Sequence, residues 1–188
     1  MLEQLIEYDK ELFIYLNNLG SETWDGLWLV ITNKLSSIPL YVLLLFLIYK
    51  KLGWRALVLA VFVVAAMIAF TDQISNLFKS SFERPRPCRA EGVMDLARLV
   101  APRCSLYGFF SGHASNSMAA AIFAGLLLRP YFKNLMYLLL VWSFVVAYSR
   151  IYVGVHYPLD LLCGMTFGGL SGFGFYKLFN YIFKKYIA

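Results

Sequence analysis

The sequence predicts an all-α, polytopic membrane helix bundle of about five transmembrane helices, preceded by an amphipathic interfacial helix. Three observations carry that expectation. Hydrophobic residues fill 60% of the 188 positions and charged residues 15%, against ~45–50% and ~25% in ordinary soluble domains. The apolar residues come in long runs with basic residues at one end. Aromatic residues, 18% of the chain, gather near the ends of those runs, where a bilayer interface would lie. A chain of this length predicts one domain over 1–188.

Over residues 1–20, Leu2, Leu5, Ile6, Leu12, Phe13 and Leu16 recur at helical spacing opposite an acidic face. A helix lying on the membrane surface is expected; a helix packed on its own protein fits the same pattern. Glu3, Glu7, Asp9 and Glu11 make the N-terminus acidic, so no cleavable signal peptide is expected.

Apolar runs follow at 38–49, 56–70, 118–128, 135–148 and 161–176. Each is shorter than the ~20 residues of a plain spanning helix. Each has a basic boundary at one end and passes into mixed polar sequence at the other. Polar residues inside a span face the bundle interior and mark function. The spans therefore extend to roughly 24–50, 54–80, 112–129, 132–151 and 156–183, with Pro39 expected to kink or interrupt the first. Gly164, Gly168 and Gly172 give the fifth a small-residue face for close helix packing.

Alternating spans sort the connections onto two faces. One carries Lys50, Lys51, Arg55, Arg129, Lys133, Lys177, Lys184 and Lys185, with no acid among them. The other carries the N-terminus, the long 81–111 loop and the 150–157 connection. Short basic loops stay in the cytoplasm, so the second face is expected outside. The net charge of +6 then points to anionic headgroups of the bilayer, with no nucleic acid partner. Cys88 and Cys104 share the long outer loop and are expected to pair, while Cys163 lies in the fifth span.

His113 and His156, the two histidines of the chain, both open spans at the outer face. Asp160 follows His156 by one helical turn, placing both on one helix face. A carboxylate on one imidazole nitrogen fixes the tautomer and frees the other as nucleophile or base. Ser111 and Gly112 precede a helix start, where backbone N–H groups favour an anion. Lys79, Arg86 and Arg150 add cations suited to a phosphoryl group. The same two histidines with Asp160 also match a metal site, but three neighbouring cations disfavour a fourth, so no metal or other cofactor is expected.

These residues fall into three motifs: Lys79-Ser-Ser-Phe-Glu-Arg-Pro-Arg86-Pro87, Phe110-Ser111-Gly112-His113, and Ser149-Arg150 with His156 and Asp160. In order and spacing they resemble the type 2 phosphatidic acid phosphatase superfamily, membrane enzymes related to vanadium haloperoxidases. The resemblance covers residues 72–165. Phe110 stands where the family has proline, which affects local geometry and leaves the reactive side chains in place. The resemblance implies His156 as nucleophile forming a phosphohistidine, Asp160 as its orienting partner, and His113 as acid and then base. It implies Lys79, Arg86, Ser111, Gly112 and Arg150 as the phosphate cradle, without metal.

The function so expected is hydrolysis of a lipid phosphate at the outer side of a bacterial cytoplasmic membrane. Candidate substrates are undecaprenyl diphosphate, lipid A phosphate, phosphatidylglycerophosphate and phosphatidic acid. The alternatives are a lipid-binding or transport protein with a relict site, and a haloperoxidase, which the membrane spans disfavour. Asp72, two turns before Lys79, is expected to support the cations through Asn76 or Asn116, and Ser149 is a further supporting candidate.

Overall fold

The computed structural model describes residues 2–187, apart from the side chain of Leu2. Six helices make up the framework: α1 (Leu2–Asn18), α2 (Glu22–Thr32), α3 (Ile38–Phe82), α4 (Gly112–Leu128), α5 (Leu135–Tyr152) and α6 (Pro158–Tyr186). Lys34–Phe82 and Leu135–Tyr152 are long and apolar enough to cross a bilayer. The side chains turned away from the bundle are apolar, among them Val42, Phe46, Phe62, Phe70, Leu138, Val141, Phe144, Leu162 and Leu170. A surface of that kind is stable against lipid rather than water.

The expected first span, 24–50, is divided in the structure. α2 stops at Thr32, a 3₁₀ turn covers Lys34–Ser37, and α3 starts at Ile38. The break has two local causes. Asn33 takes an extended conformation and its side chain accepts the Leu35 N–H at 3.0 Å. Pro39 then occupies the first turn of α3, where its missing N–H costs nothing. Proline here starts a helix instead of kinking one. The remaining helices lie within a few residues of the expected spans.

α3 folds back on itself at Gly53, which has φ +84° and ψ 176°, a conformation glycine adopts readily. Tyr41, Leu44 and Ile48 of the first arm then face Val64 and Ile68 of the second across an apolar cleft. Lys51 lies over the rings of Tyr131 and Phe132, so the hairpin tip and the α4–α5 connection share one end of the bundle.

α4 is the central helix. Its small residues, including Ala114, Ser115, Ala119, Ala121 and Gly125, are buried. α6 lies directly on it through the expected glycines. A Cβ on Gly164 would come within 2.6 Å of the Ser111 carbonyl oxygen, and one on Gly172 within 2.5 Å of that of Ala119. A Cβ on Gly168 would collide with the carbonyl of Ser115. Backbone approach of this kind lets dispersion and weak polar contacts hold two helices together.

α1 packs on its own protein, the second of the two arrangements that its spacing fits. It leaves Leu5, Tyr8, Leu12 and Tyr15 exposed and packs on the bundle through Asp9, Phe13 and Asn17. The acids of α1 are therefore not all on one solvated face, because Asp9 turns inward. Asn17 donates to the carbonyls of Ile151 and Tyr152, each at 2.9 Å, and accepts the Arg98 N–H at 2.7 Å. It thereby satisfies the Tyr152 carbonyl at the end of α5 and gives the Ile151 carbonyl, which also accepts the Gly154 N–H, a second donor. In the long loop, the sulfurs of Cys88 and Cys104 meet with Cα atoms 6.6 Å apart, a span that suits a disulfide.

The glycine seam yields a direct test. Gly168→Ala should destabilise the protein by about 1–3 kcal/mol through overpacking against backbone that cannot yield. Gly174→Ala, on the same helix with nothing within 4 Å of the added carbon, should leave the melting temperature unchanged. Equal melting temperatures for the two variants would show that the seam does not constrain the fold.

Candidate active site

Four helix ends meet at the end of the bundle opposite the hairpin tip. α3 delivers Lys79 and leads into the loop that carries Arg84 and Arg86. α4 begins at Gly112-His113, α5 ends just after Ser149-Arg150, and α6 begins two residues after His156.

His156 and Asp160 are 2% and 0% exposed. Their contact is direct, with Nδ1 of His156 at 3.2 Å from Oδ2 of Asp160. The same oxygen accepts the Tyr157 N–H at 3.1 Å, closing the first turn of α6. Nδ1 is thus held as the N–H nitrogen, and Nε2 is left with its lone pair. The amide of His156 and that of Val155 both reach the Arg150 carbonyl, at 3.3 and 3.0 Å. The turn that ends α5 therefore fixes Arg150 and His156 together. Arg86, Arg150 and Lys79 are the cations nearest the buried imidazole.

The other motif residues converge on this pair. The Ser111 N–H donates to the Asp160 carbonyl at 3.0 Å, tying the second motif to the third. The Ser111 hydroxyl caps α4 by accepting the Ala114 N–H. Arg86 is buried, and its Nε donates to the Tyr107 carbonyl at 2.9 Å. Gly108 marks how tightly the loop is drawn in. A Cβ there would be 3.0 Å from Cγ of Arg86, 3.2 Å from Oδ2 of Asp160 and 3.5 Å from Nδ1 of His156. A Cβ on Gly112 would lie 3.8 Å from the Lys79 ammonium and 3.6 Å from Oδ1 of Asp72. Arg150 donates from Nη1 to the Thr32 hydroxyl, and its Nε is buried without a partner among the described residues.

His113 lines a cavity of about 200 Å³ together with Thr32, Lys34, Asp72 and Asn116, closed on its apolar side by Tyr41 and Trp142. Asp72 accepts from Nδ2 of Asn116 at 2.8 Å, and Asn116 in turn accepts from the Thr71 hydroxyl at 2.5 Å. Of the two partners expected for Asp72, Asn116 makes the contact. Asn76 instead accepts from Lys79 at 3.3 Å. Ser149 is not drawn into the site: its hydroxyl bonds back to the Val146 carbonyl at 2.6 Å. A buried helical serine with no outside partner satisfies itself in this way.

Other members were not singled out from sequence. Arg84 lies between Asp9 and Asp160, and Thr32 and Lys34 come from the break between α2 and α3. The one available signal was the cost of a buried carboxylate, which requires a cationic partner. The alternative metal set of His113, His156 and Asp160 meets a different arrangement. Asp160 is committed to His156, Arg84 and the Tyr157 amide, and cations surround the rest.

Comparison with known proteins identifies the family. The family model of the PAP2 superfamily matches residues 56–184, the second arm of α3 through α6, with all three motifs inside. The chain belongs to the PAP2 superfamily. A lipid A 4'-phosphatase of Bacteroides thetaiotaomicron is 35% identical over 179 residues, covering 94% of this chain and 79% of that protein. One from Porphyromonas gingivalis is 30% identical, covering 100% and 79%. The crystal structure of Aquifex aeolicus LpxE superposes with a TM-score of 0.70 at 26% identity, covering 89% of this chain and 93% of that one. As a PAP2 protein the chain is a membrane phosphatase acting on lipid phosphates.

The Asp72–Asn116–Thr71 chain can be tested within this PAP2 site. Asp72→Asn removes a charged acceptor, and such bonds contribute about 1.5–3 kcal/mol. The variant should melt lower and turn over more slowly. Unchanged melting temperature and turnover would remove Asp72 from the site.

Proposed function

We propose that this PAP2 enzyme is a lipid A 4'-phosphatase of a bacterial cytoplasmic membrane, working by metal-independent transfer of the phosphoryl group to His156. The observation that carries the chemistry is the buried His156–Asp160 pair among Lys79, Arg86 and Arg150. The substrate reading rests on two lipid A 4'-phosphatases that align over nearly the whole chain.

In the first step, the Nε2 lone pair of His156 attacks phosphorus, a P–N bond forms and the P–O bond to the lipid alcohol breaks. His113 gives the departing oxygen its proton. Asp160 stabilises the positive charge that develops on the imidazole. Lys79, Arg86 and Arg150, with backbone N–H groups at Ser111-Gly112, hold the equatorial oxygens, where positioning and charge stabilisation supply most of the catalysis. In the second step, His113 takes a proton from water as its oxygen attacks phosphorus. The P–N bond then breaks, inorganic phosphate leaves and His156 is regenerated.

The basic, acid-free connections around Lys50, Lys51, Arg129 and Lys133 support placing that end of the bundle in the cytoplasm. The site end then faces the periplasm or exterior. A pairing of Cys88 with Cys104 suits that compartment.

The test measures phosphate release from lipid A, undecaprenyl diphosphate, phosphatidylglycerophosphate and phosphatidic acid, with and without a chelator. Lipid A should be preferred, and the chelator should leave the rate unchanged. Preference for undecaprenyl diphosphate would replace the substrate, and a chelator-sensitive rate would reject the metal-independent route. His156→Ala should fold and release no phosphate; substantial turnover by that variant would reject His156 as nucleophile. No release from any lipid by the wild-type protein would favour a lipid-binding protein.

A further inference from the structure

We propose that Asp9 and Arg84 are positioning residues for this reaction, a relay through which α1 holds Asp160, and hence His156, in register; the inference rests on the His156 reading above. Arg84 reaches two carboxylates with its two terminal nitrogens. Nη2 is 2.7 Å from Oδ2 of Asp9, and Nη1 is 2.9 Å from Oδ1 of Asp160. The second oxygen of Asp160 is the one that meets Nδ1 of His156. An unbroken line of polar contacts therefore runs from α1 to the reacting imidazole.

The geometry of the relay is fixed on every side. The guanidinium lies over the Tyr157 ring at 4.2 Å, and Phe13 of α1 packs against that ring edge-on at 5.4 Å. The other oxygen of Asp9 accepts the Leu159 N–H at 2.8 Å, giving α6 an N-terminal cap from a different helix. The carbonyl of Arg84 accepts the Gly108 N–H at 3.0 Å, which ties it to the loop against His156 and Asp160.

Stability alone does not account for these charges. Buried ion pairs gain little over well-packed apolar residues of similar size. α1 already has Phe13 and Asn17 to anchor it. What Arg84 adds is a fixed orientation for an acid that must itself orient a nucleophile, at a distance where misplacement of a few tenths of an ångström slows reaction. The PAP2 match begins at residue 56, so Asp9 reaches the site from outside it.

Electrostatics supplies a readout that a purely structural role would not move. The charged and titratable groups around His156 are Lys79 from α3, Arg84 and Arg86 from the following loop, His113 from α4, Arg150 from α5 and Asp160 from α6. Asp9 joins them through Arg84. Removing a cation from this set favours the imidazolium and raises the pH at which neutral His156 is lost. Removing an anion has the opposite effect.

The experiment uses the full chain, with lipid A and phosphatidic acid in mixed micelles as probes. Arg84→Gln and Asp9→Asn should each lower kcat on the order of 10- to 100-fold with KM little changed. The acidic limb of the kcat/KM profile should move up in pH for Arg84→Gln and down for Asp9→Asn, by about half a unit or more. Arg84→Lys and Asp9→Glu, which keep the charges, should hold the limb at its wild-type position and recover part of kcat even where the neutral variants fold poorly. Loss of activity in the neutral variants with no movement of the limb would overturn the proposal in favour of a structural role. So would wild-type kinetics in both alongside an inactive His156→Ala, an outcome that leaves the phosphatase reading standing. An active His156→Ala would remove both.

Discussion

Asp160 is a carboxylate with no solvent exposure, and each of its oxygens is occupied: one by Arg84, the other by His156 and the Tyr157 amide. An ionised group in that position is tolerable only with this full set of partners, since taking a charge out of water costs several kcal/mol before pairing. The arrangement of the site end follows from that requirement. The loop after α3 must bring Arg84 inward. The α5–α6 turn must place His156 one helical turn before the acid. Ser111 must sit close enough for its amide to reach the Asp160 carbonyl.

The apolar part of the bundle provides the rigidity these contacts need. α4 and α6 meet almost backbone to backbone along Gly164, Gly168 and Gly172, so Ser111 and Asp160 are not free to drift apart. The hairpin at Gly53 returns the second arm of α3 to the same end, delivering Lys79 beside Gly112. In a membrane the hydrophobic effect does not drive one helix against another, so close packing of small residues takes over that role. The same seam therefore holds the helices together and sets the spacing of the PAP2 motifs.

Much of this was legible in the sequence, for identifiable reasons. Long apolar runs with basic edges located the helices from 54 onward. The polar residues at one end of those helices marked the candidate site, because unpartnered polar groups are costly at that depth. Pro39 marked the first span for a kink or interruption, but the side-chain contact at Asn33 that ends α2 escaped that reading, since a 24–50 span is apolar enough without it. Ser149 was counted with the site because it adjoins Arg150, yet its hydroxyl found a nearer acceptor in its own helix. Arg84 and Asp9 were present as an arginine inside a motif spacer and an acid among four near the N-terminus. Nothing in local pattern separates them from solvated charges; their pairing spans 75 residues and exists only in the folded chain.

α1 looks two ways at once. Leu5, Tyr8, Leu12 and Tyr15 are turned outward, and Asp9 inward to Arg84. A flat bilayer and a strongly curved detergent micelle support such a helix differently. Solubilisation therefore changes what surrounds the outer face of α1 while its inner face keeps the contact of Asp9 with Arg84. Rates measured after extraction describe the enzyme together with its detergent, and reconstitution into a bilayer is the condition under which they describe the enzyme in its own setting.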